Sequence, residues 1–212
     1  KDFLKKYRNF DNVESLVLTA EDLKDANKFK FSNLKKLNID ILIKPKKGNL
    51  KQLFAAEKRR SRINKKKSIN QLLSEELRSL LLKNPNLEEF SIQHTDCKDI
   101  PMEIWLLKEL KSLTLKMTGM TELASNVQNL VNLETLDLSN NKIKALPEEL
   151  SKLNSLKELN LVGNYLMKEF PNTIEQLSSL EQLHVDKNQA NLWKKQLQNL
   201  KKTNKNLKIE EW

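Results

Sequence analysis

Apolar residues recur along this chain in a three-point signature, at the first, fourth and sixth positions of a short segment. LEEFSI begins at Leu87, LKSLTL at Leu110, LETLDL at Leu133, LKELNL at Leu156 and LEQLHV at Leu180, spaced 23, 23, 23 and 24 residues apart. VESLVL from Val13 and LKKLNI from Leu34 lie 21 apart, and NKNLKI from Asn204 continues the frame another 24 residues on. Alternation at the fourth and sixth positions is strand-like, because successive side chains of a strand point to opposite faces. A period near 23 residues leaves room for one short strand, a bend and a short return segment in each turn. The pattern therefore predicts parallel strands roughly 4.8 Å apart, each turn burying its leucines against the next.

The bends carry their own signature. Asn141, Asn164 and Asn188 fall at the ninth position, where an inward carboxamide satisfies backbone groups that a turn leaves without sheet partners. Thr95 and Thr118 hold the same slot in preceding repeats, as weaker versions. Pro101, Pro147 and Pro171 open the return segments. Proline suits a first helical position, and Glu148 and Glu149 favour a helix N-terminus. Gly119 and Gly163 sit in bends, and Trp105 reads as the edge of the convex core. Phe3, Leu4, Tyr7 and Phe10 have helical spacing, predicting an N-terminal capping helix over residues 1–12. At the other end residues 190–212 are the expected C-terminal cap, with Trp193 and Trp212 as its core.

From Leu133 to Leu153 the chain reads L-x-x-L-x-L-x-x-N-x-I-x-x-L-P-x-x-L-x-x-L without a gap. This resembles the leucine-rich repeat family over nearly the whole chain. It is similar to the 23-residue class abundant in pathogenic bacteria, including the leptospiral repeat proteins. The resemblance implies an α/β fold, a single right-handed solenoid or horseshoe domain over residues 1–212. A parallel concave β-sheet would line it, with helical or 3₁₀ segments on the convex side. It further implies protein binding through that sheet, no enzymatic activity and no cofactor, in a bacterial protein engaged in host interaction. The first two repeats depart from the pattern, with Glu21 and Leu42 in the asparagine slot.

Charge changes the picture in two places. The chain carries a formal net charge of +10, and EKRRSRINKKKSIN (57–70) supplies seven minus one, or +6, of it. This stretch lies in the 53 residues between Leu34 and Leu87, where one repeat needs about 23, so residues 44–74 read as a basic helical insertion. Lys58, Arg59, Arg60, Arg62, Lys65, Lys66 and Lys67 form an alternative site for nucleic acid or an anionic surface. The stretch has no aromatic residue to stack on bases, so a solvated charge run is the favoured reading and nucleic acid is an unfavoured partner.

The predicted concave face is biased the other way. At positions 3, 5 and 7 of the strands stand Lys36, Lys116 and Lys208 against Asp40, Glu89, Asp137, Glu158, Asp186 and Glu210, three minus six, or −3. A nucleic-acid-binding horseshoe concentrates positive charge on its open face; this one does the reverse. The candidate protein-binding patch is Glu89, Gln93, Lys116, Asp137, Glu158 and His184, with Met117 and Asn140 on its rim, facing a partner of basic character. Position 2 alternates in sign through Glu14, Lys35, Glu88, Lys111, Glu134, Lys157, Glu181 and Lys205, which reads as a structural ladder.

Chemistry finds little footing. His94 and His184 stand four repeats apart, roughly 19 Å by the strand spacing, and cannot share a metal or a proton. Cys97, the one cysteine, lies in the slot of Met120 and Ile143, where an apolar setting keeps a thiol inert. No apolar run approaches the roughly 20 residues that cross a bilayer. Compartment stays open between secreted, cell-surface and cytoplasmic, and a monomer is the favoured state. Deleting residues 57–70 and joining the ends with a short flexible linker should leave the unfolding midpoint nearly unchanged, because loop length costs only about 0.6 kcal/mol per doubling. Loss of cooperative unfolding in the deletion variant would mean that the stretch is packed against the repeats.

Overall fold

The computed structural model describes residues 14–18, 26, 31–40, 69–93 and 100–212, without the side chains of residue 40 and residues 69–74. The capping helix expected over 1–12, most of the basic insertion, Thr95, His94 and Cys97 lie outside the described residues. Eight strands form one parallel sheet in chain order: β1 (Ser15–Leu18), β2 (Lys36–Asp40), β3 (Glu89–Gln93), β4 (Ser112–Lys116), β5 (Thr135–Asp137), β6 (Glu158–Asn160), β7 (Gln182–Val185) and β8 (Lys208–Glu211). Strands joined in sequence order without crossovers are what a coil of one strand per turn produces.

The register confirms the three-point frame through the first seven turns. Leu16, Leu37, Phe90, Leu113, Leu136, Leu159 and Leu183 pair across the sheet. All seven are at most 1% exposed. The irregular N-terminal repeats keep the frame, since Ser15 pairs with Lys36 and Lys36 with Glu89. At the C-terminus the frame is corrected. Leu183 pairs with Ile209, so the last turn starts at Asn206, two residues later than the leucine spacing suggested. Two short helices, α2 (Lys187–Leu192) and α3 (Lys194–Thr203), lengthen that turn.

The convex side returns mostly through 3₁₀ segments: η1 (Met102–Leu106), η2 (Ser125–Asn129), η3 (Glu148–Lys152) and η4 (Asn172–Gln176). A 3₁₀ turn rises about 2.0 Å per residue, so five residues span the return that an α-helix would make with more. Pro101, Pro147 and Pro171 stand one residue before these segments, with φ of −57°, −70° and −76°. They act as extended N-caps and not as first helical residues. Ala124 takes the same place before η2. The longer α1 (Ile69–Lys83) replaces the 3₁₀ segment after β2 and buries Leu77, Leu80 and Leu81. Arg78 of α1 pairs with Glu103 of η1, Nε to Oε1 at 2.6 Å.

The bends explain why asparagine recurs. Asn141 is 5% exposed. Its Oδ1 accepts from the Thr118 amide (3.0 Å), the Thr118 hydroxyl (3.0 Å) and the Met120 amide (3.2 Å). Its Nδ2 donates to the carbonyls of Leu115 (2.7 Å), Leu138 (2.8 Å) and Ser139 (3.3 Å). One side chain thereby serves two consecutive turns. Asn164 repeats the arrangement with Ile143, Leu138 and Leu161. Asn188 does not: it is exposed in the first turn of α2. Gln189 takes the inward role there, donating to the Asn164 carbonyl at 3.0 Å and closing a capping box with Asp186.

At the C-terminal end Trp193 is 1% exposed, donates Nε1–H to the Lys168 carbonyl at 3.1 Å, and meets Phe170 edge-on with ring centroids 5.7 Å apart. Leu197 and Leu200 of α3 are also buried. Trp212 is not part of this core, being 66% exposed. Removing the Asn141 carboxamide leaves buried amides and carbonyls unpaired, at about 1–3 kcal/mol for each such group. Asn141→Ala should lower unfolding free energy by about 3 kcal/mol or more, whereas Asn188→Ala should stay within about 0.5 kcal/mol. Denaturant titration of both variants checks the contrast; equal losses would contradict it.

Candidate functional site

Side chains at positions 3, 5 and 7 of each strand stand on the face opposite the buried leucines. Short polar residues make the middle of this face shallow: Ser91, Ser112, Thr114 and Thr135 are neighbours in the ladder and partly exposed. The backbone beyond the strands is fixed in the left-handed region at Met117 (φ 52°), Asn140 (φ 57°) and Gly163 (φ 80°). These three share the eighth position of successive turns. Gly163 is needed twice over, because a Cβ there would lie 2.6 Å from Asn140 Oδ1 and 2.8 Å from its Cα. Met117 and Asn140 are exposed on this rim.

The candidate residues fall into two groups. Glu89 is engaged by the Lys36 ammonium on the neighbouring strand, and Gln93 pairs in register with Lys116. Further along, Asp137 Oδ1 accepts the Ser139 amide at 2.8 Å, which fixes its rotamer while leaving it partly exposed. Asn160, its neighbour in register, does the same with the Val162 amide at 3.1 Å. His184 pairs in register with Asn160 on one side and Glu210 on the other. Its side chain is 10% exposed and lies between two carboxylates, Nε2 at 3.2 Å from Glu158 Oε1 and Nδ1 at 3.2 Å from Glu210 Oε2. The Nε2 contact lacks hydrogen-bond alignment, so proximity, not a directed bond, describes it. Glu158 and Glu210 remain 40% and 48% exposed. Asp186 turns inward and accepts the Gly163 amide at 2.8 Å. The structure thus brings Asp137, Glu158 and His184 together with Glu210, while Glu89, Gln93 and Lys116 lie toward the other end.

Position 2 forms the expected ladder over part of its length. Glu88 bridges Lys35 (2.7 Å) and Lys111 (3.0 Å), and Glu134 pairs with Lys157 (2.7 Å). The corrected frame puts Leu207, not Lys205, at position 2 of the last turn, which ends the alternation at Glu181. Hydrogen bonds from Lys35 and then Lys111, with their positive charges, lower the Glu88 carboxyl to about 2. The hydrogen bond from Lys157 lowers Glu134, and the same contacts raise Lys157 and Lys111.

Lys58, Arg59, Arg60, Arg62, Lys65, Lys66 and Lys67 lie outside the described residues. Among the described residues no group of three His, Cys, Asp or Glu side chains is placed to hold a metal ion. None of their helices is long and apolar enough to cross a membrane.

Comparison with known proteins agrees with this geometry. A family model described as a leucine-rich repeat region matches residues 58–211. A probable inactive serine/threonine-protein kinase, roco10, of Dictyostelium discoideum is 34% identical over 108 residues, covering 49% of this chain and 4% of that protein. A leucine-rich repeat protein of Leptospira interrogans superposes with a TM-score of 0.56 at 25% identity, over 85% of this chain and 38% of the other. Internalin C2 of Listeria monocytogenes shares the fold at a TM-score of 0.51 and 19% identity, over 84% of this chain and 63% of its own. The chain therefore spans a small part of the kinase relative and well under half of the leptospiral protein.

The Glu88 bridge yields a pH test. A carboxyl lowered on folding contributes stability above its unfolded range, near 4.3, and loses it as pH falls through the folded value of about 2. At low ionic strength, an NMR titration of the Glu88 carboxyl should show a midpoint near 2 that rises with added salt. An ordinary glutamate midpoint at low salt would show that the ladder is not bridged in solution.

Proposed function

The chain belongs to the leucine-rich repeat family, and from that membership we propose that it is a non-enzymatic scaffold binding a protein of basic character through its concave sheet. The observation that carries this reading is electrostatic. Asp137, Glu158 and Glu210 stand partly exposed on one face of a protein whose net charge is +10. A cationic partner is repelled by the body as a whole and attracted by this face, which selects the docking orientation. The floor under these carboxylates is held by backbone hydrogen bonds and by Asn141 and Asn164, so little ordering is needed on binding.

The likeness to a leptospiral protein suggests a finer reading, a bacterial protein engaged in host interaction. The rival site for nucleic acid or an anionic surface rests on the basic stretch at 57–70. Affinity capture followed by kinetics separates the two. Asp137→Lys combined with Glu158→Lys should slow association of the captured protein about tenfold at low salt, with the difference shrinking as salt is added. Unchanged association would overturn the concave site. Salt-sensitive nucleic-acid binding that disappears on replacing Lys65, Lys66 and Lys67 would establish the rival.

A further inference from the structure

Trp212 is the most exposed large apolar side chain among the described residues. Its indole is 66% exposed, yet its main chain is held by Val185 of β7 and Lys187 of α2. The Trp212 amide donates to the Val185 carbonyl at 3.0 Å, and its carbonyl accepts from the Lys187 amide at 3.0 Å. These two bonds pair Trp212 with Asp186 and place it two residues beyond Glu210, on the same concave face. The strand rise sets the two Cα atoms roughly 6.5–7 Å apart. Glu210 is itself fixed by His184, whose other nitrogen faces Glu158. The C-terminal corner of the sheet thus presents a backbone-anchored aromatic plane next to an exposed carboxylate, with a second carboxylate two strands away.

An aromatic face attracts a cation through its quadrupole, and a carboxylate accepts the parallel N–H groups of a guanidinium. Arginine does both at once, stacking its plane on the ring while its fork meets the oxygens. Lysine offers a point charge without the stacking plane. Lys208, two residues before Glu210 on β8, and Lys187, bonded through its backbone to Trp212, are the cations nearest in register. Lys208 lies on the side of Glu210 away from Trp212, so the favourable position for an incoming positive group is between Glu210 and Trp212. We propose that Trp212 and Glu210, supported by His184 and Glu158, anchor an arginine side chain carried by a basic segment of the partner protein. This rests on the concave face being the protein-binding surface, and it assigns that surface a specific end and a specific side chain.

The test uses the full chain and a fluorescein-labelled peptide of alternating glycine and arginine, with matched glycine–lysine and glycine–glutamate peptides, read by anisotropy at low salt. The arginine peptide should bind about fivefold or more tightly than the lysine peptide, and the glutamate peptide should not bind. Trp212→Ala should weaken arginine-peptide binding about fivefold and erase its advantage over lysine, while Trp212→Phe retains part of it. Glu210→Gln should weaken both cationic peptides. Thermal unfolding of each variant verifies that the sheet remains intact, and Trp212→Phe keeps the test decisive if Trp212→Ala disturbs β8. If Asp137→Lys with Glu158→Lys abolishes binding but Trp212→Ala does not alter it, the concave reading stands and the arginine anchor falls. If no variant changes binding, both fall. Absence of saturable arginine-peptide binding overturns the anchor.

Discussion

No turn of this chain can bury its own leucines. Leu113, Leu136 and Leu159 are each fully enclosed because the turns before and after lie on either side of them. Burying a leucine side chain contributes about 1.5–3 kcal/mol, and here that gain exists only when neighbouring turns are in register. Every other feature answers to this mutual burial. Strands must be parallel, return segments must be short, and each bend must dispose of its polar backbone inside an apolar stack. Asn141 and Asn164 meet the last demand by bonding two turns at once.

Function follows from what the constraint leaves unconstrained. Residues on the concave face lie on the side of the sheet opposite the buried leucines, so their chemistry varies while the scaffold beneath stays fixed. Along this sheet the charges separate into a neutralised end, where Lys36 engages Glu89, and an acidic end around Asp137, Glu158 and Glu210. His184 lies between the two glutamates, which remain partly exposed. Long-range attraction from such a face acts over roughly a Debye length, about 8 Å at physiological salt. On the proposed function, that is enough to orient an approaching basic protein before contact.

Most of the architecture was legible in the leucines because their spacing is set by packing that repeats identically. The frame held from Leu16 to Leu183. It failed where packing ceases to repeat. The helices α2 and α3 lengthen the last turn, so counting onward from Leu180 put its start at Asn204 and not Asn206. A slip of two residues preserves the face, which is why Lys208 and Glu210 were still placed on the concave side. Trp212, read as core of the C-terminal cap, is exposed because Trp193, Leu197 and Leu200 supply that core. Asn188 misled for a related reason, since the capping box of α2 passes the inward role to Gln189. Sequence spacing also could not reveal that Glu89 is occupied by Lys36 or that His184 sits between two carboxylates. Those contacts depend on side-chain reach across strands, on which periodicity is silent.

The central claim is that stacked turns fix the floor of the concave face before any partner arrives. Native-state amide hydrogen exchange tests it most directly at the amides of Thr118, Met120 and Ile143, which Asn141 and Asn164 hold inside the bends. The account predicts that these three exchange among the slowest in the chain, together with the amides of β4, β5 and β6, as one cooperative unit. Exchange of the bend amides at rates typical of exposed loops, with neighbouring strands opening independently, would contradict it.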